Sequence, residues 1–166
     1  MDGEFGLGKN KTLQLLQDFI NYAPTAQIVA IAGKNEKMQA HFEELKQHSS
    51  RPNDIKVYGF SNQVPELMSI SNLVVTKPGG LTTTESLASG VPLLIINPIP
   101  GQEEENAEFL EKAGVAIWLQ KQEDASNYIT SLFKNEDTLQ HMKIKSRLLA
   151  KKNSTKDICQ ILMKSE

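Results

Sequence analysis

The run Asn72-Leu73-Val74-Val75-Thr76-Lys77-Pro78-Gly79-Gly80-Leu81-Thr82-Thr83-Thr84-Glu85 limits what this chain can fold into more than any other. Its apolar opening predicts a short buried strand, and a helical pattern from Leu81 to Ser89 begins directly after the two glycines. A strand, a Gly-Gly turn and a helix in immediate succession belong to α/β folds with parallel strands. The first turn of such a helix carries N–H groups without intrahelical partners, and its dipole favours negative charge there. The segment therefore predicts an anion site at the end of a strand.

The rest of the chain alternates in the same way. Leu13, Leu16, Phe19 and Ile20 form a helical stripe over residues 13–22, with Pro24 just beyond. Strands are predicted over 27–32, 55–58, 72–76, 92–96 and 115–119. Helices are predicted over 36–48, 64–70, 81–89 and 103–112, with Gly90 and Gly114 ending the last two. Asn97-Pro98-Ile99-Pro100-Gly101 must be loop, because its prolines and glycine suit neither a helix interior nor a central strand. From Asp124 onward the pattern is helical, with breaks near Asn135 and Asn153. This order predicts an α/β, Rossmann-like doubly wound parallel sheet, with ligand loops beyond the C-terminal strand ends. Met1-Asp2-Gly3 opens directly on a glycine-rich turn where a first strand would normally precede. The pattern is that of the downstream half of a larger protein.

Bulk properties narrow the function. The chain has 166 residues, enough for one domain that buries roughly 70% of its unfolded surface. Its 18 basic and 20 acidic residues are mixed along the chain without a basic stripe, which argues against a nucleic-acid partner. Cys159 is the only cysteine, which excludes an internal disulfide and a cysteine-built zinc site and fits a reducing compartment. No apolar run approaches the roughly 20 residues that span a bilayer. A cytoplasmic domain is expected, at most peripheral at the inner face of the cell membrane.

Several motifs carry chemistry, each with a plainer alternative. Gly3-Glu4-Phe5-Gly6-Leu7-Gly8-Lys9-Asn10 matches the G-x-x-x-x-G-K part of a P-loop, but Asn10 stands where a magnesium-binding Ser or Thr is needed. A glycine turn beside a pyrophosphate, or a tight turn with no ligand contact, both fit better. Gly79-Gly80 permits either a sharp turn or close approach of backbone to a ligand. Thr82-Thr83-Thr84 are mediocre helix formers whose hydroxyls suit caps or phosphate contacts. Glu85 either completes a capping box with Thr82 or accepts hydrogen bonds from a pair of sugar hydroxyls. Gln102, Glu103 and Asn106 open a helix after the proline-glycine loop and offer donors and acceptors for hydroxyl recognition, whereas Glu104 and Glu105 need only complement the dipole. His41, His48 and His141 lack ligand spacing and belong to solvated helix faces.

At these residues the chain resembles the C-terminal, donor-binding half of GT-B glycosyltransferases of family 28. Its matching core is Val57-Tyr58-Gly59-Phe60, then Val75-Thr76-Lys77-Pro78-Gly79-Gly80-Leu81-Thr82 with Glu85, then Pro100-Gly101-Gln102-Glu103 with Asn106. The Lys-Pro-Gly-Gly and Pro-Gly-Gln-Glu forms favour the branch of processive diacylglycerol glucosyltransferases and monogalactosyldiacylglycerol synthases over the peptidoglycan branch. The resemblance implies that Phe60 and its neighbours hold the uracil ring, largely through backbone groups, and that Glu85 accepts from the ribose hydroxyls. It implies that Gly79, Gly80, Leu81 and Thr82, with the Gly6-Gly8 turn, cradle the diphosphate. Gln102, Glu103 and Asn106 would read the hexose, and Lys77 would offset charge on the departing UDP without a metal.

The expected function is UDP-sugar binding for transfer of glucose or galactose from UDP-glucose or UDP-galactose to diacylglycerol. No cofactor beyond that donor is expected. The acceptor site and catalytic base would come from a missing N-terminal domain or subunit, which would also meet the lipid acceptor, so the isolated 166 residues are expected to bind donor without turnover. Alternatives are the peptidoglycan N-acetylglucosaminyltransferase, a UDP-N-acetylglucosamine epimerase, and a donor-binding subunit without activity of its own. An epimerase needs acid-base carboxylates and histidines in its cleft, and no candidate loop here holds a histidine.

Overall fold

The computed structural model describes residues 3–120, 124–151 and 153–163, so the Met1-Asp2 opening lies outside the described residues. In chain order the elements are α1 (Gly3–Tyr22), β1 (Ile28–Ile31), α2 (Glu36–Gln47), β2 (Ile55–Tyr58), α3 (Val64–Ile70), β3 (Val74–Thr76) and α4 (Gly80–Ser89). They continue with β4 (Leu93–Ile95), α5 (Gln102–Lys112), β5 (Ala116–Trp118), α6 (Ala125–Lys134), α7 (Glu136–Leu149) and α8 (Ser154–Met163). They fall into two compact units, Met1–Val64 with Lys121–Glu136 and Pro65–Gln120 with Asp137–Glu166. All pairing is parallel, as the alternating pattern predicts, and the hydrogen-bonded ladders are β1-β2 in the first unit and β3-β4-β5 in the second.

In the first unit, β1 and β2 run in register from Ile28 opposite Ile55 to Ile31 opposite Tyr58. The stripe of α1 supplies Leu16 and Ile20 to a core with Ala30, Phe42 and Ile55. Phe19 turns instead toward α6 and meets Phe133 edge-on at 6.2 Å between ring centres. Asn35 caps α2 by accepting from the Met38 N–H at 3.0 Å. Arg51 closes the other end of the first helix. Its guanidinium donates to the carbonyls of Phe19 at 3.1 Å, Ala23 at 2.7 Å, Pro24 at 2.9 Å and Ala26 at 2.6 Å. The Phe19 and Ala23 carbonyls also accept from the Ala23 and Ala26 N–H groups, so the guanidinium adds a second bond at each.

The glycine-rich segment predicted as a turn is helical from Gly3, so Gly6 and Gly8 lie within α1. Once residues 13–22 nucleate the helix, each further residue adds a hydrogen bond at low cost, which offsets the roughly 1 kcal/mol that each glycine costs a helix interior.

The second unit is built around β4. Leu93, Leu94 and Ile95 are fully buried, as a central parallel strand covered on both faces requires. Leu93 and Ile95 pack with Ala107 and Leu110 of α5 and with Val115 and Ala116, and Trp118 and Leu149 lie against this cluster. The αL glycines that end α4 and α5 are overlaid by basic side chains from α7. Arg147 lies against Gly90 and Lys145 against Gly114, where each cation complements the negative end of a helix dipole. No described helix is long and apolar enough to cross a membrane.

Candidate functional site

Two loops leave the carboxyl ends of adjacent strands in the second unit, the position where open parallel sheets bind ligands. The first follows Thr76. Lys77 is exposed, Pro78 is fully buried, and the Gly79 N–H donates back to the Lys77 carbonyl at 2.9 Å. Gly79 is the N-cap of α4, without a side-chain cap and with no acid in the first turn. The first helical bond runs from the Thr83 N–H to the Gly79 carbonyl at 3.0 Å, which leaves the N–H groups of Gly80, Leu81 and Thr82 outside the helical ladder.

The glycines of this loop differ from four others in the chain. Gly33, Gly90, Gly101 and Gly114 have positive φ, which an L side chain rarely adopts. Gly79 has φ −66° and ψ 146°, open to any residue, and Gly80 is already helical. A Cβ on either would meet nothing within 4 Å. Neither backbone conformation nor internal packing requires glycine at these two positions.

The same helix decides between the readings of Glu85. Thr82 is the third residue of α4 and not its cap, so the Thr82–Glu85 capping box does not form. Glu85 is exposed, and no hydrogen bond or ion pair engages its side chain among the described residues. Thr84 Oγ1 donates to the Gly80 carbonyl at 2.8 Å. Thr83 Oγ1 is buried and has no hydrogen-bond partner among the described residues.

The second loop follows β4. Asn97 has φ 44°, and Gly101 has φ 96° with ψ −124°, a region essentially reserved for glycine. Glu103, Glu104 and Glu105 occupy the first turn of α5 and meet its dipole from within the chain. Glu103 does more than that, because its Oε2 accepts from the Ile99 N–H at 2.7 Å and braces the loop. Asn106 donates through Nδ2 to the Pro78 carbonyl at 3.0 Å, which joins α5 to the turn ahead of α4. Gln102 is exposed at the start of α5.

Lys77, Gly79, Gly80, Leu81, Thr82, Glu85, Gln102, Glu103 and Asn106 thus all lie in the loop-and-helix pairs that follow β3 and β4 of one unit. Gly6, Gly8 and Phe60 belong to the other unit. Phe60 follows β2 and is 68% exposed, with Lys34 Nζ 5.8 Å from the centre of its ring. Three features escape a reading of the sequence: the brace from Glu103, the orphan hydroxyl of Thr83, and Lys34 over Phe60. Only the last had a signal, the glycine-lysine pair closing a predicted strand.

Parallel strands alternating with helices define an α/β protein, and comparison with known proteins specifies which. The glycosyltransferase family 28 C-terminal domain matches residues 8–161, through both units, and the chain belongs to that family. It is 36% identical over 158 residues to a processive diacylglycerol beta-glucosyltransferase of Bacillus pumilus, covering 95% of this chain and 40% of that protein. The enzyme of the same name from Staphylococcus carnosus is 33% identical over 161 residues, covering 97% and 40%. The chain therefore spans about 40% of the length of these curated relatives.

Among solved structures, MurG of Acinetobacter baumannii matches with a TM-score of 0.66 at 23% identity, covering 92% of this chain and 45% of that one. WaaG, a glycosyltransferase involved in lipopolysaccharide biosynthesis, matches with a TM-score of 0.64 at 15% identity, covering 90% and 40%. These likenesses identify the fold as one half of the GT-B architecture.

Proposed function

We propose that this chain binds the UDP-sugar donor of a hexosyltransferase that passes glucose or galactose to diacylglycerol. The observation that carries the reading is the uncapped N-terminus of α4, bordered by two glycines whose Cβ volumes are empty. Backbone open to an outside atom, three N–H groups beyond the helical ladder and the positive end of a dipole suit a diphosphate. Lys77 adjoins this turn and would offset the charge that grows on UDP as the sugar leaves. Glu85, free of a capping role, would accept from two ribose hydroxyls. The base-binding role of Phe60 and the phosphate role of the Gly6–Gly8 segment rest on the family resemblance.

The α5 side suits the sugar instead. Its first turn already carries three carboxylates, which repel a phosphate but accept hydrogen bonds from hydroxyls. Asn106 spends Nδ2 on Pro78 and keeps Oδ1 as an acceptor, while Gln102 is exposed with both donors and acceptors. In this reading the phosphate charge is met by backbone N–H groups and Lys77 without a metal. The relatives' names support glucose and diacylglycerol as donor sugar and acceptor. The acceptor site and catalytic base would lie in a separate N-terminal domain, working peripherally at the inner face of the membrane.

Calorimetric or ligand-detected NMR titration of the chain with UDP, UDP-glucose and UDP-galactose tests the proposal. Weak but saturable binding supports it. A folded chain that binds none of them at millimolar concentration would refute it.

A further inference from the structure

The parallel pair β1-β2 extends one bond beyond its last strand residues, because the Ala32 N–H donates to the Tyr58 carbonyl at 2.9 Å. Gly33-Lys34 and Gly59-Phe60 therefore leave the same carboxyl edge side by side. An open concavity of about 640 Å³ lies at this edge, lined by Ala32, Lys34, Asn35, Glu36 and Lys37. Beside it Phe60 projects 68% exposed, with no polar atom of its own to fix its rotamer. The Lys34 ammonium stands 5.8 Å from the ring centre, within the range where the negative face of a phenyl ring attracts a cation.

We propose that Lys34 is a positioning residue for nucleobase recognition: its ammonium over one face of Phe60 holds the ring as the surface on which the uracil of a uridine nucleotide packs. The proposal rests on the donor-binding reading and adds a residue that reading does not contain. A phenyl ring held from one side loses less rotational freedom when a planar base settles on its remaining surface, so less of the stacking energy goes into ordering it. Asn35 is spent on capping α2, and Lys34 is the cation that stands over the ring.

The test is UDP titration of the chain and of Lys34→Met, Lys34→Arg, Phe60→Ala and the Lys34→Met/Phe60→Ala double variant, with unfolding midpoints as a control. Both residues are exposed, so all variants should fold. Lys34→Met should weaken UDP about two- to five-fold, the range expected of an exposed cation over a ring. Lys34→Arg, whose guanidinium also stacks on aromatic faces, should restore most of the loss. In the Phe60→Ala background, Lys34→Met should cost nothing further. UDP affinity unchanged in Lys34→Met overturns the proposal while leaving donor binding intact. Additive losses in the double variant also overturn it, because Lys34 would then act on the nucleotide without the ring. Absence of UDP binding by the unchanged chain removes the donor-binding reading and this proposal together.

Discussion

Asn106 and Pro78 are 28 positions apart, and the Asn106 amide donates to the Pro78 carbonyl at 3.0 Å. That bond ties the first turn and a half of α5 to the loop from which α4 starts, and so couples the proposed sugar and diphosphate contacts. Asn106→Ala should cost about 0.5–1.5 kcal/mol of stability, the net worth of one such bond. Asn106→Asp should cost more, because a carboxylate oxygen would face a carbonyl with no donor between them. Denaturant midpoints of the two variants check this, and an aspartate variant as stable as the unchanged chain would contradict it.

Gly80→Ala separates folding from binding. Alanine at the first helical position should raise stability by up to about 1 kcal/mol, since it is the better helix former and its methyl meets nothing within 4 Å. The same methyl should obstruct a diphosphate resting on the backbone, so UDP affinity should fall as the melting temperature rises. A stability gain with unchanged UDP affinity would place the ligand elsewhere.

Glu85→Gln should leave the fold intact, because no described partner or capping box depends on the carboxylate. It should weaken UDP by about 1.5–3 kcal/mol, the usual worth of hydrogen bonds to a charged group. Titration with UDP and with its 2′-deoxy and 3′-deoxy analogues reads this directly. The deoxy analogues should bind the unchanged chain less tightly than UDP, and that difference should shrink in the variant. If UDP affinity holds, Glu85 does not bind the ribose.

The elements bounded by strong punctuation were legible from sequence alone. The strand at Ile55–Tyr58 and the helix at Val64–Ile70 fall where Pro52 and Pro65 place them, and Gly90 ends α4 as its αL conformation requires. The start of α1 was not legible, because glycines that suit a turn also tolerate a helix when propagation favours it. The spacing Thr82–Glu85 matches a capping box whichever residue is the cap, and only the structure identifies Gly79 as that residue. Side-chain ties across the fold, Asn106 to Pro78 and Arg51 to four carbonyls, leave no local pattern to read.

The pH response of α6 follows from its cap. Asp124 accepts from the Ser126 N–H at 2.9 Å, and hydrogen bonding to the Ser126 backbone first and its side chain second lowers its pKa below 3.8. A carboxyl whose folded pKa is depressed contributes stability above its unfolded value, and that stability is lost as pH falls through the folded value. Unfolding midpoints of the unchanged chain should therefore drop on acidification below about pH 4. Asp124→Asn keeps an N-cap acceptor without the charge and should lose part of that slope. An identical pH profile in the variant would show that the cap does not sense pH.

Which nucleotide this chain holds, and what it needs to hold it, is the central question. Titrations with UDP, UDP-glucose, ATP and GTP, each with and without magnesium, decide the matter. UDP and UDP-glucose should bind equally well in magnesium and in EDTA, with Gln102→Ala reducing the preference for UDP-glucose over UDP and sparing UDP itself. Magnesium-dependent binding of ATP or GTP, lost in Lys9→Ala and not matched by UDP, would contradict the account.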